Sequence, residues 1–157
     1  MYATHRDLPE TVRTDTIALL QARLADALDL AARMKLVYWN LRGPSSLGRR
    51  KLFEAWLDQI DECIDSLARR IAALLGFTEG CVHAQALKGS LGRYPLNTCT
   101  GEYHEKIVGR VVARFFRRVR ADVDRAAELG DAGTADVLRD ISRRLETQLC
   151  IADARLF

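Results

Sequence analysis

Apolar residues return at three- and four-residue steps along four long stretches, the period of an α-helix with one face turned inward. The first stretch covers about residues 9–38. Ile17, Leu20, Leu24, Leu28 and Ala31 form its apolar face, and Pro9 and Glu10 sit where a first turn favours them. Gly43, Pro44, Ser45 and Ser46 break the pattern. The second stretch, about 48–75, turns Phe53, Trp56, Ile60, Cys63, Ile64, Leu67, Ile71 and Leu74 inward, with Gly76 as its C-cap.

A long connection, 76–100, holds GSLGRYP and predicts one short helix near 83–88. The third periodic stretch starts near Gly101, carries Ile107, Val111, Val112, Phe115, Phe116, Val119 and Val123, and ends at Gly130. Residues 131–134 read as a tight turn. The last helix then runs to about Arg155 on Val137, Leu138, Ile141, Leu145, Leu149 and Ala152. No segment alternates with the two-residue period of a strand. Four long helices with one long middle connection predict an all-α single domain over 1–157, a ferritin-like four-helix bundle with a long crossover.

Composition agrees with that picture and narrows the function. The chain has 157 residues, 48% hydrophobic and 29% charged, enough to bury one ordinary globular core. No apolar run approaches the roughly 20 residues of a membrane helix. The N-terminal MYATHRDLPETVR lacks an apolar signal region, so a cytoplasmic location and no membrane partner are expected. Cys63, Cys81, Cys99 and Cys150 are widely spaced, with no CxxC pair, and are expected to be reduced thiols. A net charge of +3 is too small to argue for nucleic acid by itself.

The candidate chemistry lies on the second helix. Glu54, Asp58, Asp61 and Asp65 are spaced four, three and four, so they form a narrow stripe pointing away from the apolar face. Such a stripe is a solvated surface by default. The sharper alternative is a surface for a hard cation, because carboxylate oxygens suit iron(II), magnesium or calcium. Arg69, four residues after Asp65, predicts an Asp65–Arg69 pair that would repel a metal ion. The three histidines, His5, His83 and His104, all lie outside the first, second and last helices. Glu-x-x-His pairs of the kind that hold di-iron centres in such bundles are therefore absent, and a His-rich zinc or copper site is unsupported.

Several motifs together resemble one family. YWNLRGP, 38–44, is similar to a His-Trp-Asn, basic, Gly, Pro signature. LFEAWLDQIDECIDSLARRI is similar to a second helix of spaced acids ending in Asp-x-x-Ala-Glu-Arg, GSLGRYPL to a Leu-x-x-Tyr-Pro-Leu segment, and LGDAGTADVLRDISRRLETQL to a Gly-Asp-x-x-Thr-Ala-Asp turn and final helix. These are motifs of the Dps proteins, the mini-ferritins that protect DNA in starved bacteria, and the resemblance covers nearly the whole chain.

The resemblance implies a homo-dodecameric cage with two-fold and three-fold interfaces and a ferroxidase centre shared between two subunits. It implies iron as what the cage handles, and no cofactor needed for folding. Carried over by position, the family's two histidine ligands fall on Tyr38 and Arg50, its acids on Glu54 and Asp65, and its last Glu on Arg69. Two acids survive, and two ligand positions have become permanent cations. The expectation is a degenerate centre in which Arg50 and Arg69 neutralise Glu54 and Asp65 across the subunit pair, with Glu54 and Asp65 the remaining candidate metal ligands. Tyr38 is a candidate phenolate ligand or a packing residue. Lys51 and Ala55 replace two acids of the family's interior patch, and Cys150 stands where a Trp is usual. Asp131 and Asp136 match the turn that lines the family's iron-entry pores, with helix capping as the plainer role for Asp131.

Family members often grip DNA with a Lys-rich tail. Here Arg6 is the only full cation before Pro9, and the C-terminal DARLF carries no basic run. ARFFRRVR, 113–120, is basic, but its Phe and Val residues belong to the core face. Its arginines read as a solvated helix side or a subunit contact, with weak multivalent DNA binding as the alternative. Three functions follow: a cage that still oxidises and stores iron through a divergent site, a cage that has lost ferroxidase activity and serves as a structural, DNA-associated or differently loaded shell, and a site reused through Tyr38 and Cys63.

Overall fold

A computed structural model of the chain describes residues 8–42, 46–80 and 101–156. The short helix expected near 83–88, the GSLGRYP segment, the break at 43–45, Cys81, Cys99, His5 and His83 lie outside the described residues.

Four helices carry the described chain: α1 (Glu10–Asn40), α2 (Ser46–Ala73), α3 (Gly101–Glu128) and α4 (Ala132–Leu156). α1 packs on α2 and α3, and α4 packs on α2 and α3, so each helix has two neighbours around one core. No strand occurs among the described residues. The all-α, ferritin-like bundle expected from the periodicity is the fold observed.

The core follows the apolar faces. Phe53, Trp56, Ile60, Cys63, Leu67 and Ile71 of α2 and Leu74 just past its end are buried, with Val111, Val112, Phe115 and Val119 of α3 and Leu138, Ile141 and Leu145 of α4. Ile64, Leu28 and Phe116 are only partly covered. Phe53 and Trp56 meet edge to face, with centroids 5.7 Å apart. α1 departs from the simple pattern. Beside its leucines it buries Gln21, Arg23, Asp26 and Arg33, each of which brings a charge or an amide into the bundle.

Two helix ends depart from expectation in instructive ways. α2 stops at Ala73 rather than near Leu75. Leu75, at φ 65°, takes the left-handed position, and the Gly76 amide reaches back to the Ile71 carbonyl at 3.0 Å. Gly76 serves a different need: a Cβ there would meet Ile17 and Ile71 at 3.0 Å. At the end of α3, Gly130 (φ 82°) takes the left-handed turn itself, with the Asp131 amide on the Ala126 carbonyl at 3.0 Å. The expected turn over 131–134 is correspondingly shorter, since α4 already begins at Ala132. The reason is Asp131, which caps α4 directly.

Candidate functional site

The end of α1 and the start of α2 bring Tyr38 and Arg50 together. The Arg50 guanidinium carbon lies 5.4 Å from the centre of the Tyr38 ring. Arg50 Nη2 donates to the Leu41 carbonyl oxygen at 3.1 Å, satisfying an acceptor just past the negative end of α1. Arg50 Nε is buried and has no hydrogen-bond acceptor. The arginine is thus held by an aromatic ring on one face and by a helix end at its edge.

Beside this pair runs an open groove of about 390 Å³, lined by Lys35, Tyr38, Trp39, Phe53, Glu54 and Leu57 among others. Trp39 is 66% exposed, a large apolar surface for the chain to leave uncovered. The groove joins an aromatic wall to one cation, Lys35, and one carboxylate, Glu54.

Glu54, Asp58, Asp61 and Asp65 are all exposed, as the stripe geometry predicts. None of the four makes a hydrogen bond or ion pair among the described residues. Glu54 and Asp65 are eleven residues apart, about 16 Å along α2, too far for one protomer to bring both to a single ion. Among the described residues no group of three or more His, Cys, Asp or Glu side chains converges as a metal site. The expected Asp65–Arg69 pair is not formed within the protomer. Arg69 instead borders a cleft between α2 and α4 with Arg70, Asp136 and Asp140, because its side chain leaves the helix toward α4.

Asp131 and Asp136 separate into two environments. Asp131 is 1% exposed. Its Oδ1 accepts from the Thr134 amide at 2.9 Å and from Arg70 Nη2 at 2.6 Å, and its Oδ2 accepts from the Thr134 hydroxyl at 2.6 Å. Arg70 Nε also donates to Thr134 Oγ1 at 2.8 Å. Both carboxylate oxygens are therefore spent on capping α4 and tying it to α2. Asp136 is exposed and paired with Arg139 on the next turn.

Cys63 is buried beneath α4, where Arg144 bridges Glu62 and Asp140. Burial pushes its thiol up to about 12, against the pull of Arg144, so it carries no thiolate near neutral pH. A site reused through Cys63 has no geometric support. Cys150 is a free, exposed thiol.

One charged cluster was not anticipated from the sequence. Arg23 Nη1 lies 2.8 Å from Asp26 Oδ2, and Arg23 Nε lies 2.8 Å from Asp122 Oδ2, joining α1 to α3. These contacts are close enough for ion pairing, although Arg23 Nε, Arg23 Nη1 and Asp122 Oδ2 fall outside hydrogen-bond geometry. Burial raises Asp122 to about 6; Arg23 and Arg118 oppose the shift and Asp26 adds to it. The available signal was three charges interrupting apolar faces at 23, 26 and 122, but local spacing pairs only the first two.

No family model matches the chain. It is 28% identical over 155 residues to the DNA protection during starvation protein of Agrobacterium fabrum, covering 99% of this chain and 96% of that protein. It is 30% identical over 150 residues to an uncharacterized low temperature-induced protein of Nostoc, covering 88% of this chain and 78% of that one. Its fold matches a solved Dps protein from Vibrio cholerae, described as a member of a broad superfamily of ferritin-like diiron-carboxylate proteins, with a TM-score of 0.90 at 19% identity over 100% of both chains.

Proposed function

Because the chain belongs to the Dps family of ferritin-like proteins, we propose that it is the subunit of a cytoplasmic Dps-type homo-dodecamer whose ferroxidase positions have become a cation-held subunit contact. In this reading iron(II) is a poor substrate. The observation that carries the reading is the seat of Arg50, stacked on Tyr38 and bonded to the Leu41 carbonyl. A guanidinium keeps its proton throughout the accessible pH range and offers donors where a metal needs lone pairs. The chain keeps Glu54 and Asp65, which an adjoining subunit would set against Arg50 and Arg69. Two carboxylates against two guanidiniums need no metal for neutrality.

The uncovered Trp39 and the groove beside it fit the same reading, since a second copy would cover them at the shared centre. Asp136, exposed on the first turns of α4, remains the residue best placed to meet incoming cations at a three-fold pore. Asp131 does not take part, since Thr134 and Arg70 occupy both its oxygens.

Crystals soaked in iron(II) and measured at the iron absorption edge test this assignment. The expected map has no anomalous peak beside Glu54 or Asp65. A pair of peaks there, bridging two subunits, would show that a divergent centre still binds iron.

A further inference from the structure

The seam where α1 packs on α3 carries charge into the bundle. Arg23 stands there between two carboxylates, Asp26 on its own helix and Asp122 across on α3, each 2.8 Å away. The Arg23 and Asp26 side chains are 9% and 0% exposed, and Asp122 keeps 19%. Thr16, seven residues before Arg23 and so on the same face of α1, is completely buried, and its hydroxyl has no hydrogen-bond partner. Arg23 Nε, Arg23 Nη1 and Asp122 Oδ2 also fall outside hydrogen-bond geometry. The seam has thus drawn charged and polar atoms out of water and returned few well-formed bonds.

Opposing forces act on Asp122. Burial disfavours its charge, and the Arg23 guanidinium favours it. The Arg23 contact is close but poorly aligned, so it falls short of the charge-assisted bond that would offset desolvation. Asp26 of α1 adds to the effect of burial, and Arg118, one turn back on α3, draws the same way as Arg23. Among the described residues Asp122 makes no other ion pair, with α4 or any other element. Burial prevails, and the folded carboxyl keeps its proton up to about 6.

We propose that the Arg23–Asp26–Asp122 cluster is a pH-sensitive latch on the α1–α3 seam, closed while Asp122 is protonated and released by its ionisation, so that α1 and α3 part locally while the rest of the bundle holds. The seam is suited to open first. Its α1 side buries Thr16, Arg23 and Asp26, whereas α2 buries Ile60, Leu67 and Ile71, so less apolar surface resists its opening. Ionised Asp122 sets a second negative charge beside the fully buried Asp26. The closed form binds the proton more tightly than the open, solvated form. Closure therefore has the group's full support below 3.8 and has lost it once the pH passes about 6.

Hydrogen exchange of the full-length protein, read by mass spectrometry at pH 4, 5, 6 and 7 and corrected for intrinsic exchange chemistry, tests the latch. In the wild type, protection of residues 16–26 and 115–126 is expected to fall by up to about a hundredfold across that range. Dilute urea is expected to change this exchange little, the mark of a local opening, while residues 63–71 of α2 stay better protected and respond to urea. Asp122→Asn, a neutral stand-in for the protonated carboxyl, is expected to stay protected at every pH. Asp26→Asn, which removes a charge that opposes ionisation, is expected to shrink the loss and end it at lower pH. Seam protection independent of pH in the wild type would overturn the proposal. So would a pH dependence that persists in Asp122→Asn, the result expected if assembly were its cause; native mass is measured alongside. Parallel losses at the seam and in α2, equally steep in urea, would show that the cluster acts only on global unfolding and that no latch exists.

Discussion

Arg50 stacks its guanidinium on the ring of Tyr38, 5.4 Å from carbon to ring centre, and donates from the same group to the Leu41 carbonyl. One side chain thereby closes the end of α1 onto the start of α2. The same two positions are those where the family resemblance expects histidine ligands. The replacement is a pair, and its members hold each other.

Arg50→Ala should therefore weaken the fold as well as alter the site. It removes a cation–aromatic contact and a charged donor at a helix C-terminus, together about 1–2 kcal/mol. Urea denaturation, with assembly state held fixed, is expected to show a lower midpoint at unchanged slope. A neutral result would mean that Arg50 contributes nothing to the protomer.

Asp131→Ala should cost more, about 3 kcal/mol, because it strips the cap of α4 and leaves Arg70 without its carboxylate. Gly133→Ala approaches the same pair from another side: a Cβ there would stand 2.9 Å from Arg70 Nη2 and push the guanidinium away. Thermal unfolding should fall for both, further for Asp131→Ala. Asp136→Ala, on the exposed surface, is expected to leave the melting temperature nearly unchanged.

The Arg23–Asp26–Asp122 cluster sets a pH dependence. Asp122 in the folded chain holds its proton up to about 6, against an ordinary value of 3.8. The folded state thus binds more protons across that window, and stability falls as pH rises through it. Below pH 4 both states are protonated and the group contributes fully; above pH 6 the contribution is lost. Asp122→Asn should erase a stability difference on the order of 2–3 kcal/mol between these limits. Denaturation of both proteins at pH 4, 5, 6 and 7 measures it, and parallel profiles would contradict the assignment.

Leu75→Gly should stabilise α2 by up to about 1 kcal/mol, since a leucine now occupies a left-handed position. Gly130→Ala is expected to destabilise by a similar amount for the same reason in reverse. Melting temperatures shifting in opposite directions would bear out both.

How much of this was legible depended on the range of the interaction. The faces of α2, α3 and α4 were readable because burial follows helical spacing, and Phe53, Leu67, Phe115 and Leu138 all sit inside. α1 was read less fully, since it buries Arg23, Asp26 and Arg33 beside its leucines, and charge at a core position obscures the pattern. Gly76 was expected to take the left-handed turn, which Leu75 takes instead, because Gly76 is needed for space against Ile17. The bond from Arg70 to Asp131 spans 61 positions, beyond any local spacing rule. The acidic stripe of α2 was legible in direction, whereas the stacking of Arg50 on Tyr38 depends on how two helix ends meet.

The most direct test of the central claim is the rate of iron(II) oxidation, followed optically after adding two equivalents of iron(II) per subunit, with oxygen and separately with peroxide. The wild-type protein is expected to match the protein-free buffer, while Y38H/R50H/R69E, which restores the family's ligand types beside Glu54 and Asp65, is expected to oxidise iron above that background. Rapid, saturable oxidation by the wild type at two irons per centre would contradict the account.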